Sequence, residues 1–324
     1  MNKLALFLAA GALSAIAGTV SAQTDIRLLK TWDARYPGSV VICDRFSELL
    51  TEVSGGAITV QTFGPETIPA LQQLEPVQNG LFQVLCTYPG FHTGVATLLT
   101  GLESIRPDAE GLRASGAREV IDGVYADLGL QVLAVPLGHG YGAFLNRELS
   151  DKGDLSGMQI RALPPQHPYL AALNATPVVL PPAEMFSALE RGVVDGALFP
   201  LAGAALGGFA GVTNRFFNVP GTAPHIILAN PAFWAGLSDE TRAQFLEAAK
   251  IVEDETPAIY ARLNDEERVR LEENGVAPVS LSPEAEAALK AAVVSGSWAF
   301  AGTRNPEAAE RMQKLVKDAG LLFE

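Results

Sequence analysis

A single arginine stands where a protein could bind an anion. Segment 158–163 contains Arg161 and is otherwise mostly apolar, which is typical of a buried strand, and Pro164 and Pro165 end it because proline cannot donate to a β-ladder. Arg161 is therefore expected near the carboxyl end of that strand. A guanidinium offers paired N–H donors that fit a carboxylate. We therefore predict that Arg161 binds a ligand carboxylate.

The elements after Arg161 alternate between helix and strand. A helical run over 168–173, a strand over 176–180, a helix beginning at Pro182 and a strand over 193–199 follow in that order. Parallel sheets built from such units bind ligands in the crevice outside the carboxyl ends of their strands. The order therefore predicts that Arg161 lies at the ligand edge of a sheet.

The motifs of common enzymes and metal sites are absent from the sequence. There is no HExxH, GxxxxGK, GxSxG or paired CxxC, and His92, His139, His167 and His225 lack metal-ligand spacing. Neither a metal nor a cofactor is therefore predicted. His92, His139 and His225 fall in loops or at strand ends where a cleft could form, and His139 and His225 are candidates for its wall. The pattern favours a binding protein over an enzyme.

The first 22 residues have the pattern of a secretory signal peptide. Lys3 supplies a positive charge, an apolar run covers 4–20, and small residues precede a predicted cleavage after Ala22. The alternative, a membrane anchor, needs a different flank. Removal leaves roughly 300 residues, which is more than one hydrophobic core usually accommodates, so two domains are expected.

Charge excludes two classes of partner. The chain of 324 residues has a net charge of −13 and no compensating basic run. Nucleic acids and anionic membrane surfaces are therefore not expected as partners.

The two cysteines leave two possibilities open. Cys43 falls in the helical pattern over 40–53 and Cys86 in a strand over 82–87. In an exported protein they can form a disulfide, but two buried small apolar residues fit the pattern equally well.

Further elements extend the α/β pattern. Strands are predicted over 25–31, 58–63, 131–135, 141–145 and 225–229, and helical regions over 40–53, 70–78, from Ser238 to 274–275 and from Ser282 to the C-terminus. Pro257 is expected to kink or split the helix that contains it. A glycine-rich turn is expected at 138–140, between two strands.

Three segments resemble a known family. LSGMQIRALP (155–164), ATPVVLPPAEMFSALERGVVDG (175–196) and, more weakly, SGGAITVQTFGP with PVQNGLFQVLCTYP are similar to the DctP-type solute-binding proteins of tripartite ATP-independent periplasmic (TRAP) transporters. The resemblance covers most of the mature chain.

The resemblance implies a fold and a function. The expected fold is a two-lobed α/β periplasmic binding protein of the type II-like plan, with a ligand cleft between the lobes and a long C-terminal helical region. Lobe I is assigned 23–138 plus about 228–265, and lobe II 139–227 plus about 266–324. The expected function is periplasmic capture of a small organic acid by Arg161 and delivery to a sodium-coupled TRAP permease, with only transient contact with that membrane component.

Two departures from the family's sialic-acid binders change the expected ligand. Tyr141 stands where those proteins carry a second arginine, and Phe199 where they carry an asparagine. The resemblance therefore implies a monocarboxylate or 2-oxo acid with an apolar or aromatic body. The residues expected to wall its pocket are Trp32, Tyr36, Tyr88, Phe91, Tyr141, Phe186 and Phe199.

Two other functions fit the same cleft. One is a periplasmic enzyme of unrecognised type, and the other is a sensory binding subunit that contacts a membrane signalling protein. Substrate consumption would identify the enzyme, and a neighbouring permease gene would favour transport.

Overall fold

The computed structural model describes residues 23–181, 184–205 and 207–323. The predicted signal peptide, its cleavage site and the predicted helix start at Pro182 lie outside these residues. The described strands are β1 (Thr24–Lys30), β2 (Ile58–Phe63), β3 (Val84–Thr87), β4 (Gln131–Ala134), β5 (Leu137–Leu145), β6 (Gln159–Arg161), β7 (Thr176–Val178), β8 (Gly196–Pro200), β9 (Arg215–Pro224), β10 (Ile226–Ala229) and β11 (Ala277–Pro278).

Helices cover both sheets. The described α-helices are α1 (Arg45–Val53), α2 (Leu74–Gln78), α3 (Ala109–Ala114), α4 (Ala117–Asp127), α5 (His167–Ala172), α6 (Met185–Glu190), α7 (Pro231–Gly236), α8 (Asp239–Glu273), α9 (Pro283–Ala301) and α10 (Pro306–Asp318). No helix in the described ranges is long and apolar enough to cross a membrane.

The strands form two separate sheets. The first has the order β2-β1-β3-β10-β4, in which β1 is parallel to both neighbours and β10 is antiparallel to β3 and β4. The second has the order β11-β9-β5-β8-β6-β7, in which β6 is parallel to β7 and β8. Each sheet has its own apolar clusters.

A pair of strands passes from one sheet to the other. In the first sheet β4 pairs with β10, and in the second β5 pairs with β9. The connection from β4 to β5 and the connection from β9 to β10 therefore cross between the sheets side by side. The backbone N–H of His225 donates to the carbonyl of Pro136 at 2.8 Å at this crossing. The crossing is thus a short hydrogen-bonded ribbon.

The turn predicted at 138–140 is wrong, because these residues belong to β5. The register against β9 shifts between His139 and Tyr141, and Gly140 takes a φ of +86°. A residue with positive φ at such a shift forms a bulge, which bends the strand without ending it. The glycines therefore bend a continuous strand instead of connecting two.

The long helix α8 joins the sheets on another side. It runs unbroken over Asp239–Glu273 with Pro257 inside it, so the predicted split does not occur. Phe245 packs in a cluster with the first sheet and Leu271 in one with the second. The packing along both halves holds the helix together across the backbone hydrogen bond that proline removes.

The last helix differs from the expected lobe division. The resemblance implies that residues after about 266 belong to lobe II, but Met312 and Val316 of α10 pack with Leu112 and Ile121 in the largest cluster of the first sheet. The reason is the amphipathic face of α10, which fits the surface of α4. The C-terminal segment thus returns to the first sheet.

Cys43 and Cys86 form a disulfide. Cys43 lies in the π-helical segment Ser39–Asp44 that precedes α1, and Cys86 lies in β3. Both are fully buried. Of the two possibilities left by the sequence, the bonded one holds, and it fixes the helix onto the first sheet.

Candidate ligand-binding cavity

A cavity of about 410 Å³ lies between the two sheets. The first sheet contributes residues that follow β1 and β3, and the second contributes residues of β5, β6 and β8. The carboxyl ends of the parallel strands in both sheets therefore point at the same space, as expected for α/β ligand sites. The described residues that line it are Thr31, Trp32, Asp33, Arg35, Tyr36, Pro65, Pro69, Ala70, Tyr88, Phe91, Tyr141, Arg161, Leu163, Gln166, Pro181, Met185, Phe186, Leu198, Phe199, Pro200, Gly207 and Phe209.

Arg161 ends β6 and is buried in the cavity wall, with only 4% of its surface exposed. Its Nε donates to the carbonyl of Leu180 at 3.0 Å, and its Nη1 to that of Leu198 at 3.3 Å. Its Nη2 is buried without a partner among the described residues, and no described carboxylate forms an ion pair with it. The backbone thus holds the guanidinium in place while leaving a donor free.

Burial lowers the pKa of Arg161 to about 10, and the nearby phenols of Tyr141 and Tyr88 oppose this change. The group is therefore still a cation at neutral pH. A buried cation without a counterion is costly, and a carboxylate that pairs with it removes that cost. The electrostatics of the wall thus fit an anionic group.

Aromatic rings from both sheets form most of the remaining wall. The rings of Trp32 and Tyr36 are stacked with centroids 4.5 Å apart, and Phe91 meets Trp32 edge to face at 5.9 Å. Phe199 and Phe209 are stacked at 4.8 Å. Tyr36 and Phe199 meet at 6.3 Å, so the two stacks adjoin across the cavity. Aromatic walls of this kind fit a ligand that is flat or apolar away from its charged group.

The other two charged residues of the described lining neutralise each other. Asp33 and Arg35 form an ion pair at 2.7 Å, in which Arg35 is exposed and Asp33 half-buried. The hydrogen bond from Arg35 lowers the pKa of the Asp33 carboxyl. Arg161 is therefore the unpaired charge of the described cavity wall.

A buried carboxyl lies behind the wall. The Tyr88 hydroxyl donates to Oε1 of Glu103, and the Tyr169 hydroxyl donates to Oε2 at 2.8 Å. The Tyr169 hydroxyl also lies 2.6 Å from Oγ of Ser297. Burial raises the pKa of Glu103 to about 7, against the effect of the two phenol hydrogen bonds. The network connects a wall residue to α5 and α9.

Eight of the ten residues named from the sequence line the cavity, and two do not. The Nε2 of His139 lies 3.1 Å from the carbonyl of Pro257 on α8, because the bulge in β5 turns that side chain away. His225 is fully buried behind Tyr36. Both histidines therefore lie at the crossing between the sheets instead of in the described wall. The eight are Arg161, Trp32, Tyr36, Tyr88, Phe91, Tyr141, Phe186 and Phe199.

Several wall residues were not expected from the sequence. Leu163 and Gln166 follow Arg161 directly, and the side chain of Gln166 accepts from the backbone N–H of Leu163 at 3.1 Å. Their position just after Arg161 in the sequence is a signal that could have identified them as wall residues. Phe209 lies in a 3-10 turn that ends an irregular segment, and no pattern marked it. Within the described ranges, no cluster of three His, Cys, Asp or Glu residues is arranged to hold a metal.

The sequence profile of DctP, bacterial extracellular solute-binding protein family 7, matches residues 39–297. The chain belongs to this family. The resemblance seen in the sequence and the two-lobed fold are thereby confirmed. As a TRAP-type solute-binding protein, the DctP-family chain is a transport receptor and not an enzyme.

Two curated relatives match most of the chain. The ectoine-binding periplasmic protein TeaA of Halomonas elongata is 25% identical over 274 residues, which are 79% of each chain. The monocarboxylate 2-oxoacid-binding periplasmic protein of Nostoc sp. is 24% identical over 272 residues, covering 80% of this chain and 74% of that protein.

Solved structures share the fold. A marine metagenome TRAP solute-binding protein specific for pyroglutamate has a TM-score of 0.79 at 19% identity, covering 92% of this chain and 99% of that one. A TRAP periplasmic solute-binding protein of Desulfovibrio salexigens with bound orotic acid has a TM-score of 0.79 at 18% identity, covering 92% and 100%.

Proposed function

We propose that this DctP-family receptor captures a small monocarboxylate through an ion pair with Arg161 and delivers it to a sodium-coupled TRAP permease. The observation that carries the proposal is the buried guanidinium of Arg161, which has a free N–H and no protein counterion among the described residues. A carboxylate that binds there gains charge-assisted hydrogen bonds and removes the cost of the unpaired charge.

The charges of the wall favour one carboxylate over two. After Asp33 and Arg35 have paired, Arg161 provides the one unpaired cation of the described lining. A second carboxylate in the cavity would be desolvated without a partner, which is strongly unfavourable. A monocarboxylate is therefore the expected ligand.

The size and walls of the cavity support a small body that is flat or apolar. A volume of about 410 Å³ is within the usual range for small-molecule sites. Relatives that bind pyroglutamate, orotic acid and monocarboxylate 2-oxoacids have ligands of this kind. The stacked pairs Trp32–Tyr36 and Phe199–Phe209 would offer adjoining aromatic surfaces to such a ligand.

Binding is proposed to close the lobes. Both sheets line the cavity, so a ligand that contacts both binds the closed state more tightly than the open state. The difference between these two affinities sets how far binding shifts the protein toward closure. The lobes are assigned 23–138 plus about 228–265 and 139–227 plus about 266–305, with 306–323 packed on lobe I. The mature receptor acts in the periplasm after cleavage following Ala22.

The test is a thermal-shift screen of carboxylates followed by calorimetry. A ligand at 100-fold its dissociation constant stabilises a protein by about 2.7 kcal/mol, so a binding acid raises the Tm visibly. Arg161→Lys and Arg161→Ala are expected to lose binding while remaining folded. Arg147→Lys is the matched control, because Arg147 pairs with Asp195 at 3.3 Å on the surface. A screen without any shift, or unchanged affinity in the Arg161 variants, would overturn the proposal.

Delivery needs its own measurement. The purified receptor, loaded with the acid found in the screen, is added to proteoliposomes that contain a TRAP permease from the same organism. Uptake that requires both the receptor and a sodium gradient is expected. Uptake that is the same without the receptor would contradict this part of the proposal.

A further inference from the structure

Gln166 is a buried polar residue of the cavity wall. It lies in the 3-10 turn Pro164–Gln166 that follows β6, it lines the cavity, and only 2% of its surface is exposed. The backbone N–H of Leu163 donates to its Oε1 at 3.1 Å, and this is the one hydrogen bond that the side chain makes within the described part of the chain. The amide nitrogen, Nε2, therefore keeps two N–H donors for which no described residue is a partner.

The hydrogen bond from Leu163 fixes which end of the amide a ligand can meet. A backbone N–H needs an acceptor, and the amide nitrogen of Gln166 can only donate. Turning the amide over would place two donors against each other and leave both unpaired, which is unfavourable in a buried wall. Gln166 can therefore act toward a ligand only as a donor.

A second buried glutamine shows the contrast with a fully paired amide. Gln73 is also 2% exposed, and it is not among the described residues of the cavity wall. Its Nε2 donates to the carbonyls of Ile68 at 2.9 Å and Lys30 at 3.3 Å. Its Oε1 accepts from the hydroxyl of Thr31 at 2.8 Å. The two glutamines are alike in burial, and the one that lines the cavity is the one whose NH2 group is left for a ligand.

Gln166 and Arg161 can contact one small ligand at separate points. Consecutive Cα atoms are about 3.8 Å apart, so the hydrogen bond to Leu163 holds Oε1 of Gln166 within about 10 Å of the Cα of Arg161. The guanidinium is held by the carbonyls of Leu180, after β7, and Leu198, in β8. Leu163 instead packs against an apolar cluster of the first sheet. The amide and the guanidinium are therefore anchored to different parts of the wall.

We infer that Gln166 donates an N–H to an oxygen in the body of the ligand, so that the preferred acids carry a hydrogen-bond acceptor besides the carboxylate that Arg161 binds. This inference rests on the proposed function, because it assumes the carboxylate at Arg161. An acid with only carbon at that place would leave Nε2 desolvated and unpaired, and sites built to hydrogen-bond a ligand reject analogues that lack the group. The preferred class is monocarboxylates with a carbonyl or hydroxyl oxygen, such as 2-oxo acids, 2-hydroxy acids and acids with a ring carbonyl.

The first experiment compares acids that differ by one oxygen. The pairs are 2-oxoisovalerate with isovalerate, 3-phenylpyruvate with 3-phenylpropionate, 3-oxocyclopentanecarboxylate with cyclopentanecarboxylate, and the tightest acid of the carboxylate screen with the analogue that lacks its body oxygen. Affinities are measured by calorimetry. In the pair that contains the tightest binder, the acid with the oxygen is expected to bind at least about tenfold more tightly.

The outcomes separate the two proposals. Equal affinities within that pair, or a tightest acid that has no oxygen outside its carboxylate, would overturn the inference while the receptor function stands. If no acid of these pairs or of the wider screen binds, the receptor function fails and the inference falls with it.

Variants then assign the preference to Gln166. Gln166→Met removes the donor, so the preference within the pair should fall to about threefold or less. Gln166→Glu keeps an oxygen that accepts from Leu163 but places an acceptor where the NH2 group was, so it should favour the acid without the oxygen. Both acids of a pair carry the same charge, so repulsion by the new carboxylate weakens both and cancels in the ratio. A Gln166→Met protein that binds both acids more weakly by the same factor would show a purely structural role and overturn the assignment.

Gln73 provides the matched control for these variants. Gln73→Met loses the hydrogen bonds to Ile68, Lys30 and Thr31, so it should unfold more easily and yet keep the preference. The same two glutamines can be followed by NMR of their side-chain amides. The Nε2 hydrogens of Gln166, identified by their loss in Gln166→Met, should shift downfield when the tightest acid binds, while those of Gln73 stay in place. Unmoved Gln166 signals in the saturated receptor, or loss of the preference in Gln73→Met, would contradict a direct contact.

Discussion

The hydroxyl of Tyr36 lies 3.2 Å from Nε2 of His225, which links the cavity wall to the crossing between the sheets. The Nδ1 of His225 lies 2.8 Å from the carbonyl of Ala223 and must carry the ring hydrogen, because a carbonyl only accepts. Burial lowers the pKa of His225 to about 4, so the ring is neutral at pH 7. Nε2 therefore accepts from Tyr36, and the junction of β9 and β10 supports the ring stacked on Trp32.

Removing the Tyr36 hydroxyl should weaken both the fold and ligand binding. Tyr36→Phe leaves Nε2 of His225 buried without a donor, which costs about 1–3 kcal/mol of unfolding free energy. Affinity for the tightest acid of the screen should fall several-fold because the wall loses its support. Urea unfolding and calorimetry measure the two effects.

A second histidine pair provides the control. The Nε2 of His92 lies 2.6 Å from the hydroxyl of Tyr125, and neither residue lines the cavity. Tyr125→Phe should lower stability by a similar amount and leave affinity unchanged. Equal losses of affinity in both variants would show that general destabilisation, and not the wall, is responsible.

Glu103 should make the stability depend on pH. In the folded protein its pKa is raised to about 7 by burial, from an ordinary value of 4.5. Its contribution to stability is therefore complete below pH 4.5 and is lost as the pH rises through 7. Glu103→Gln cannot titrate, so its unfolding free energy relative to the wild type should increase by about 3 kcal/mol between pH 4.5 and 8.

The comparison of the wild type with Glu103→Gln isolates the titration of Glu103 from that of the other buried groups. Burial lowers the pKa of both His92 and His225 to about 4, so their contributions are present above pH 6.5 and are lost as the pH falls to 4. These histidines titrate in both proteins, and their effects cancel in the difference. A difference that is constant from pH 4.5 to 8 would contradict the raised pKa of Glu103.

Gly140 at the bulge in β5 should not tolerate a side chain. It has a φ of +86°, and a Cβ there would collide with the amide of Asn264. That amide donates to the carbonyl of His139 at 3.0 Å and accepts from the N–H of Ala202 at 3.1 Å. Gly140→Ala should therefore lower the free energy of unfolding by about 2 kcal/mol more than backbone strain alone would.

Gly129→Ala measures the strain by itself. Gly129 has a φ of +68°, and a Cβ there would meet nothing within 4 Å. The Gly129→Ala protein should lose about 1 kcal/mol of unfolding free energy, measured with urea. Equal losses in the two alanine variants would mean that Asn264 moves aside freely.

The site residues that could be predicted from the sequence lie in short segments with a clear local pattern. The prolines after Arg161 predict a strand end there, and β6 does end at Arg161. The aromatic residues after β1 and β3, which are Trp32, Tyr36, Tyr88 and Phe91, are wall residues that the family resemblance implies, and all four line the cavity. These positions depend on neighbours in the chain, so a local pattern reveals them.

The remaining features depend on residues distant in the chain. Glu103 meets Tyr88 and Tyr169 only through the packing of three separate segments. The choice between a disulfide and two free cysteines required the distance between a helix and a strand. Strand β9 was missed because Asn218, Pro220 and Gly221 interrupt its apolar pattern. Tertiary pairing overrides such weak local preferences.

The position of β10 determines when the first sheet can be completed. This strand comes after all but one strand of the second sheet in the sequence, yet it lies between β3 and β4. A chain that has emerged only as far as β9 therefore leaves the edges of β3 and β4 unpaired, and such edges readily pair with other chains. The first sheet therefore cannot be completed until five of the six strands of the second sheet have been synthesised, so folding of the first lobe waits for most of the other.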